Sequence, residues 1–320
     1  MINKYIIGRL GNQMFQYATV RAFQIKNNLE KEEINLDFSE VFQRADEGGF
    51  EDSLSYFNIP KYHIKPIKKT PMQKILLTYL NSIKAYYMIK DKIFHTKNYS
   101  KIMYKKENKI QPRLNKHGLY SFRLGYYDFK NSNIKNKCFY GTFESSKYFN
   151  EIKETLQKEF TPKYGILEKN KELYKEIENT ESVCVTIRRG DFVQVESIRK
   201  NLYICTPEYF EEAIKIMQKK VPKAKFFIFS DDVEWCKKNM KFPKDTKFET
   251  GTDPVWEKLR MMYSCKHFII SNSTFSWWAQ YLSRNKEKIV IAPDRWTNDS
   301  YKEHNKIDIY EEDWELIKIK

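Results

Sequence analysis

Four short polar clusters carry the side chains best suited to chemistry. They are Gly8-Arg9-Leu10-Gly11-Asn12-Gln13, Arg188-Arg189-Gly190-Asp191, Ser230-Asp231-Asp232 and Asn272-Ser273-Thr274-Phe275-Ser276. A guanidinium suits a diphosphate, because its planar fork of N–H groups makes paired, charge-assisted hydrogen bonds to phosphate oxygens. Arg188 and Arg189 are adjacent, so at a strand end they point to opposite sides. One is expected to meet a ligand and the other to pair locally, with Asp191 the partner at hand. Ser273, Thr274 and Ser276 stand at the start of a helical run. Hydroxyls and free N–H groups at a helix N-terminus make an anion site, although ordinary capping uses the same residues. Asp231 and Asp232 suit ribose hydroxyls or base N–H groups, or equally the cap of the next helix. Gly8 and Gly11 permit a sharp turn and close approach to a ligand, and Arg9, Asn12 and Gln13 add donors and acceptors there.

Other chemistries are disfavoured. No GxGxxG marks a dinucleotide dehydrogenase and no GxxxxGK[ST] marks a P-loop. No DxD follows a strand, so a divalent metal holding a diphosphate is not indicated; an arginine with a helix N-terminus is an alternative suited to that role. The five His include no HExxH or close pair, which excludes the common zinc sites. The five scattered Cys, without CxxC, read as reduced thiols in a cytoplasm.

Each cluster directly follows a run that reads as a strand: 5–7, 181–187, 225–229 and 267–271. Further strands are expected at 34–37, 138–143 and 289–292. Helices are expected at 12–28, 207–219, 232–240, 254–264 and 275–283, and the less legible stretch 61–130 is expected to hold more. Strand–helix alternation at this spacing predicts α/β architecture with parallel sheets. We expect two Rossmann-like domains, 1–160 and 161–320, with their sheets facing a central cleft. In such sheets ligands bind beyond the carboxyl ends of the strands, where all four clusters fall.

The chain has 320 residues and a mean hydropathy of −0.71, which argues against an integral membrane protein. Its most apolar stretch, 75–89, is broken by Asn81, Ser82 and Lys84. No apolar leader opens the sequence. The net charge of +15 is segregated: residues 61–150 carry 20 Lys and Arg against 4 Asp and Glu, whereas 1–60 is net −3 and 151–320 net +2. Such a block meets something anionic, a nucleic acid, a membrane surface or phosphate-bearing substrates, or simply fills solvated faces. Tyr86 and Tyr87 lend the nucleic-acid reading stacking groups, but no known module is visible and arginines do not cluster.

The segments GRLGNQMFQYA (8–18), IRRGDF (187–192), FSDD (229–232), SCKHFIISNSTFSWW (264–278) and APDRW (292–296) together resemble the bacterial α-1,2-fucosyltransferases of glycosyltransferase family 11. NSTFSWW is the most specific of them, and 50–135 matches nothing nameable. The resemblance implies a GT-B-type fold and GDP-fucose as donor substrate, with no cofactor or metal. It further implies an inverting transfer to O2 of a terminal β-galactose. By the same likeness domain 1–160 is the acceptor side, domain 161–320 binds the nucleotide sugar, and Arg188 holds the donor β-phosphate. Ser273, Thr274 and Phe275 line the phosphate and base site, while Arg9 and Asn12 reach in from the N-terminal domain. Two positions depart from the family pattern: Thr186, where the motif often begins with His, and Lys258, where many relatives have Asp. In the α-1,6 relatives both touch guanine, so Thr186 and the neighbouring Glu257 are the expected stand-ins. Ser230, Asp231, Asp232, Asn272 and Ser276 complete the expected donor site. Asp191 and Glu144 are the carboxylates available as general base. The expected setting is the cytoplasm, peripheral on the inner face of the membrane. There a galactose-ended, lipid-linked oligosaccharide would be the acceptor, the basic segment would meet anionic head groups, and no nucleic acid would be bound. A GT-B enzyme using another sugar nucleotide and a basic nucleic-acid-binding protein are the alternatives.

Overall fold

The strand that opens the chain, β1 (Ile2–Tyr5), reads INKY, yet Ile2, Asn3 and Lys4 are all buried. It lies inside the sheet of the first of two units in the computed structural model, which describes residues 1–94, 99–123, 125–298 and 308–319. That unit comprises Met1–Ser55, Ile59–Glu159 and, among the described residues, 308–310. Its further elements are α1 (Leu10–Lys26), β2 (Ile34–Asp37), α2 (Ser39–Gln43), α3 (Pro71–Phe94), α4 (Tyr99–Lys116), β3 (Leu119–Ser121), β4 (Lys137–Tyr140) and α5 (Lys153–Glu159). All its strand pairs are parallel, in the order β2-β1-β4-β3. Strands inside such sheets are normally near-continuous apolar runs. β1 departs from that pattern because its polar side chains find partners. Asn3 donates to Asn136 Oδ1 at 2.8 Å and accepts from Asn35 at 3.1 Å. The ladder runs from Ile2↔Ile34 to Tyr5↔Asp37, so the expected strand at 5–7 lies three residues too late. Ile6 and Ile7 instead lead out of the sheet to the Gly8 turn.

The second unit comprises Tyr56–Asn58 and, among the described residues, 160–298 and 311–319. Two short segments, 56–58 and 308–310, therefore lie across the expected division at 160. Its elements are α6 (Lys171–Glu178), β5 (Glu181–Ile187), α7 (Gly190–Gln194), α8 (Glu196–Leu202), α9 (Pro207–Lys220), β6 (Ala224–Ser230), α10 (Val233–Asn239), β7 (Lys247–Phe248), α11 (Val255–Ser264), β8 (His267–Ile269), α12 (Thr274–Leu282), β9 (Val290–Pro293) and β10 (Glu315–Ile317). The six strands, again all parallel, run β10-β9-β8-β5-β6-β7. Val183, Val185, Phe226, Ile228, Ile269 and Ile291 form the apolar middle of this sheet. Phe210, Ala213, Ile214 and Met217 of α9, spaced for one helix face, pack against it. Both units are thus α/β with parallel sheets, as expected. The three strands that the sequence did not announce, β3, β7 and β10, are all sheet edges two or three residues long. So short a run leaves no periodicity to read.

Strand order fixes where ligands can bind. In the first sheet the chain leaves β1 toward β2 on one side, and β4 then docks on the other. In the second sheet it leaves β5 toward β6, and β8 docks on the opposite side. Each sheet therefore has a point where the winding reverses, β1/β4 and β5/β8, and such points open a crevice at the carboxyl end.

Candidate active site

At the β5/β8 reversal the chain exits β5 into Arg188 and exits β8 into Ser271-Asn272-Ser273. Arg188 is about one quarter exposed. One of its terminal nitrogens lies 2.6 Å from Asp191 Oδ1 and the other 2.6 Å from Asp231 Oδ2. Two carboxylates on different loops thus fix the fork, and Phe192 lies 5.6 Å from its central carbon. Asp231 is itself held, because Oδ1 accepts the Arg189 N–H at 2.8 Å. Gly190 is required here for space. A Cβ at that position would sit 2.6 Å from Asp231 Oδ2.

Arg189 takes the opposite direction, as adjacency demands. Its guanidinium carbon lies 3.2 Å from the centre of the Trp235 ring, and Nε donates to Asp232 Oδ2 at 3.2 Å. The expected pairing is corrected in one respect: Asp191 pairs with the exposed Arg188, while the buried Arg189 pairs with Asp232. The side chain of Asp232 also accepts the Trp235 N–H, so this residue is the N-cap of α10.

On the β8 side, Ser273 is the N-cap of α12 and makes no side-chain cap hydrogen bond. The first intrahelical bond runs from Trp277 N–H to Ser273 O at 2.9 Å. The amides of Thr274, Phe275 and Ser276 precede it, as at any helix start. Ser273, Thr274 and Phe275 are partly exposed. The remaining expected donor contacts are buried and tied inside the unit. Thr186 Oγ1 accepts the Ser271 N–H, and Ser276 pairs with the Ser271 hydroxyl. Ser230 Oγ accepts the Asp232 N–H. Asn272 donates to the carbonyls of Leu202 and Trp296. These four are hydrogen-bonded into the frame that holds the exposed groups.

Glu257 is corrected as a stand-in for a base-binding acid. It is fully buried, accepts the Leu167 N–H at 3.0 Å and pairs with Arg260. Lys258 reaches Glu249, a carboxylate the sequence reading missed, at 2.8 Å. Glu249 follows β7 and accepts the Ser230 N–H at 3.1 Å, and burial raises its carboxyl above the usual range. No motif announces it, because its partner is 9 residues away on another element.

At the β1/β4 reversal most polar groups serve the loop itself. Gln13 is buried, donating to the carbonyls of Gly8 and Glu51 and accepting the Ser53 N–H. Gln16 brackets Ile7 through both its N–H and its carbonyl. Arg9 donates to Gly48 O at 3.1 Å and lies over the Phe50 ring. Gly8 adopts φ +76, which favours glycine, and a Cβ there would meet Asn12 Nδ2 at 2.5 Å. Asn12 therefore lies along Gly8, partly exposed. The N-cap of α1 is Arg9, not Asn12.

Across the same reversal, β4 exits through Gly141 and Phe143. Phe143 has φ +55, costly for an aromatic residue, while its ring is buried against Phe129, Phe139 and Tyr148. The next residue, Glu144, is partly exposed and follows β4 by four residues. Burial pushes the Glu144 carboxyl up to about 7, against a hydrogen bond with Thr142. Nearby, Lys4 is buried on β1 beneath the Phe143 ring, and burial holds its amine well below the usual lysine range.

The family model described as Glycosyl transferase family 11 matches residues 70–318. Across 329 residues the chain is 31% identical to an alpha-1,2-colitosyltransferase of Escherichia coli, covering 98% of this chain and 97% of that one. It is 26% identical to the O-antigen biosynthesis glycosyltransferase WbnK of Escherichia coli, over 90% of this chain and 92% of that one. Over 42% of this chain and 40% of the other, it is 25% identical to galactoside alpha-(1,2)-fucosyltransferase 1 of Saimiri boliviensis boliviensis.

Proposed function

We propose a function from a plain premise: the chain belongs to glycosyl transferase family 11. It is a glycosyltransferase, and the reading its residues support best is transfer of fucose from GDP-fucose to O2 of a terminal β-galactose, with inversion at the sugar carbon. The observation that carries this reading is the β5/β8 reversal, where Arg188 is braced by Asp191 and Asp231 next to the open first turn of α12. The donor β-phosphate takes Arg188 and the α12 amides, with Ser273, Thr274 and Phe275 along the phosphate and base. As the C1–O bond breaks, negative charge gathers on the departing GDP. Donors already aimed at those oxygens stabilise it without reorganisation. A guanidinium and a helix N-terminus do here what a metal ion does elsewhere, so the reading needs no metal and no cofactor.

The acceptor belongs to the β1/β4 edge. The galactose O2 attacks C1 from the face opposite the leaving diphosphate, and its proton passes to Glu144. A carboxyl near 7 is matched to that task at neutral pH. Asp191 is the poorer base, since Arg188 occupies one of its oxygens. Asn12 supplies an amide to the sugar and leaving oxygen. The acceptor glycan is lipid-linked and the enzyme works in the cytoplasm, peripheral on the inner face of the membrane. The likeness to an O-antigen glycosyltransferase and the basic segment 61–150 support that setting.

A second donor is favoured by one observation, the 31% identity to a colitosyltransferase along nearly the whole chain. Colitose lacks one hydroxyl of fucose. Incubation with GDP-fucose, nucleotide-activated colitose and other sugar nucleotides, each with a β-galactoside, followed by mass measurement of products, decides between them. Fucosyl product from GDP-fucose supports the first reading; product from activated colitose alone replaces it. Product from neither removes both. A rise in melting temperature larger with GDP than with UDP supports the guanine nucleotide independently of turnover.

A further inference from the structure

α3 has two apolar faces, and only one is covered. Gln73, Leu76, Leu80 and Lys84 are buried against the rest of the unit, with Lys84 paired to the buried Glu107 of α4 at 3.6 Å. The other face carries Met72, Ile75, Tyr79, Tyr86, Ile89 and Ile93, between 39% and 62% exposed. Their spacings of three, four, seven, three and four residues place them in one stripe along the helix. An exposed stripe of large apolar side chains marks a docking surface. The same helical pair is the centre of the basic segment. The sequence from 71 to 116 carries eleven Lys and Arg against only Asp91 and Glu107. Lys74, Lys90, Lys105, Lys106 and Lys109 are exposed.

The geometry points to the α3–α4 pair as a peripheral membrane anchor, its stripe seated in the head-group region of an anionic lipid surface and its lysines on the phosphates. This deepens, and rests on, the reading of a transferase acting on a lipid-linked glycan. Charge selects the occupant. A second copy of the chain would set one strongly basic hairpin against another. Its two acids offer little relief, since Glu107 is buried on Lys84. An anionic bilayer neutralises the lysines and receives the apolar side chains together, as amphipathic helices with basic flanks do. The two exposed tyrosines suit an interface that is apolar on one side and wet on the other. No helix among the described residues is long and apolar enough to cross a membrane, so the contact lies on the surface.

The test is co-sedimentation of the full chain with vesicles of phosphatidylcholine alone or mixed with phosphatidylglycerol. The expected result is binding to the mixed vesicles, at least about tenfold weaker to phosphatidylcholine and weakened by salt. Ile75→Glu combined with Ile89→Glu should lower binding about tenfold or more without moving the melting temperature. Lys105, Lys106 and Lys109, all changed to Ala, should remove the preference for phosphatidylglycerol. Equal binding by the glutamate variant overturns the proposal. So does absence of vesicle binding, a wild-type dimer that the variant converts to monomer in light scattering, or preferential binding of single-stranded RNA. Transfer to a soluble β-galactoside, measured on the same preparations, separates this from the function. Vesicle binding without transfer removes the function and leaves the anchor. Transfer without vesicle binding does the reverse.

Discussion

The two reversal points are built from similar material and use it differently. At β5/β8 the exposed arginine is preset by two carboxylates, and the buried polar residues behind it lock Ser271, Asp232 and α12 in place. At β1/β4 the arginine and both glutamines are spent on the loop, leaving Asn12 and Glu144 on the edge. One edge is a guanidinium fork held between two carboxylates. The other presents a neutral amide and a carboxyl whose ionisation burial opposes. The contrast fits the proposed roles, a charged donor at one sheet and an uncharged acceptor at the other.

The comparison breaks most visibly at Arg188. Arg188→Ala should lower turnover by on the order of 10²–10³, since it removes a charge-assisted donor to a developing anion. Arg188→Lys should recover only part of it, because an ammonium cannot span Asp191 and Asp231 as the fork does. Near-normal turnover by the Ala variant would remove the phosphate role.

Glu144→Gln should cost about 10² in turnover and sharpens the other side of the comparison. In the parent protein, turnover should rise with pH through about 7, as the base loses its proton, and the variant should lose that limb. Stability moves the opposite way. A carboxyl raised from 4.5 to about 7 by burial binds its proton more tightly folded than unfolded. The folded state is therefore favoured at low pH and loses stability as pH climbs across that window. Thermal melts of both proteins from pH 4 to 8 read this directly; identical slopes would place Glu144 outside the buried edge.

Asn12→Ala should reduce turnover roughly tenfold and leave GDP affinity within about twofold, because the contact strengthens only as charge develops. Its melting temperature should not change, since Arg9 holds the N-cap position. Equal losses in turnover and GDP affinity would move Asn12 to the donor. The smallest effect is expected at Gly190→Ala. A methyl 2.6 Å from Asp231 Oδ2 must push that carboxylate off Arg188, weakening GDP binding a few-fold with chemistry little changed. Unaltered GDP affinity would show that the Asp231 brace is dispensable.

The residues themselves announced both edges. Polar clusters after β-rich runs, the alternation of strands with helices and the absence of phosphate-loop and metal signatures were legible without coordinates, because each is a local property of type and spacing. So was the charge block at 61–150. What the sequence could not apportion was the use of each polar group. Thr186, Ser230, Asn272 and Ser276 have the composition of ligand contacts and are instead buried in the frame. Arg188, Asp231, Ser273 and Phe275, similar in type, stand open. Glu257 was the natural acid beside Lys258 until the α11 surface placed it under the 167–170 segment and gave Lys258 to Glu249. Whether a hydroxyl or carboxylate is spent or available depends on partners both near and tens of residues away, which come together only when the chain packs. The same holds for Glu144. Nothing local distinguishes it from other acids of the chain; burial in the folded unit sets its proton affinity. Local chemistry therefore determined which polar clusters stand at the carboxyl ends of the strands, and tertiary packing decided which of their side chains are buried and bonded inside the unit.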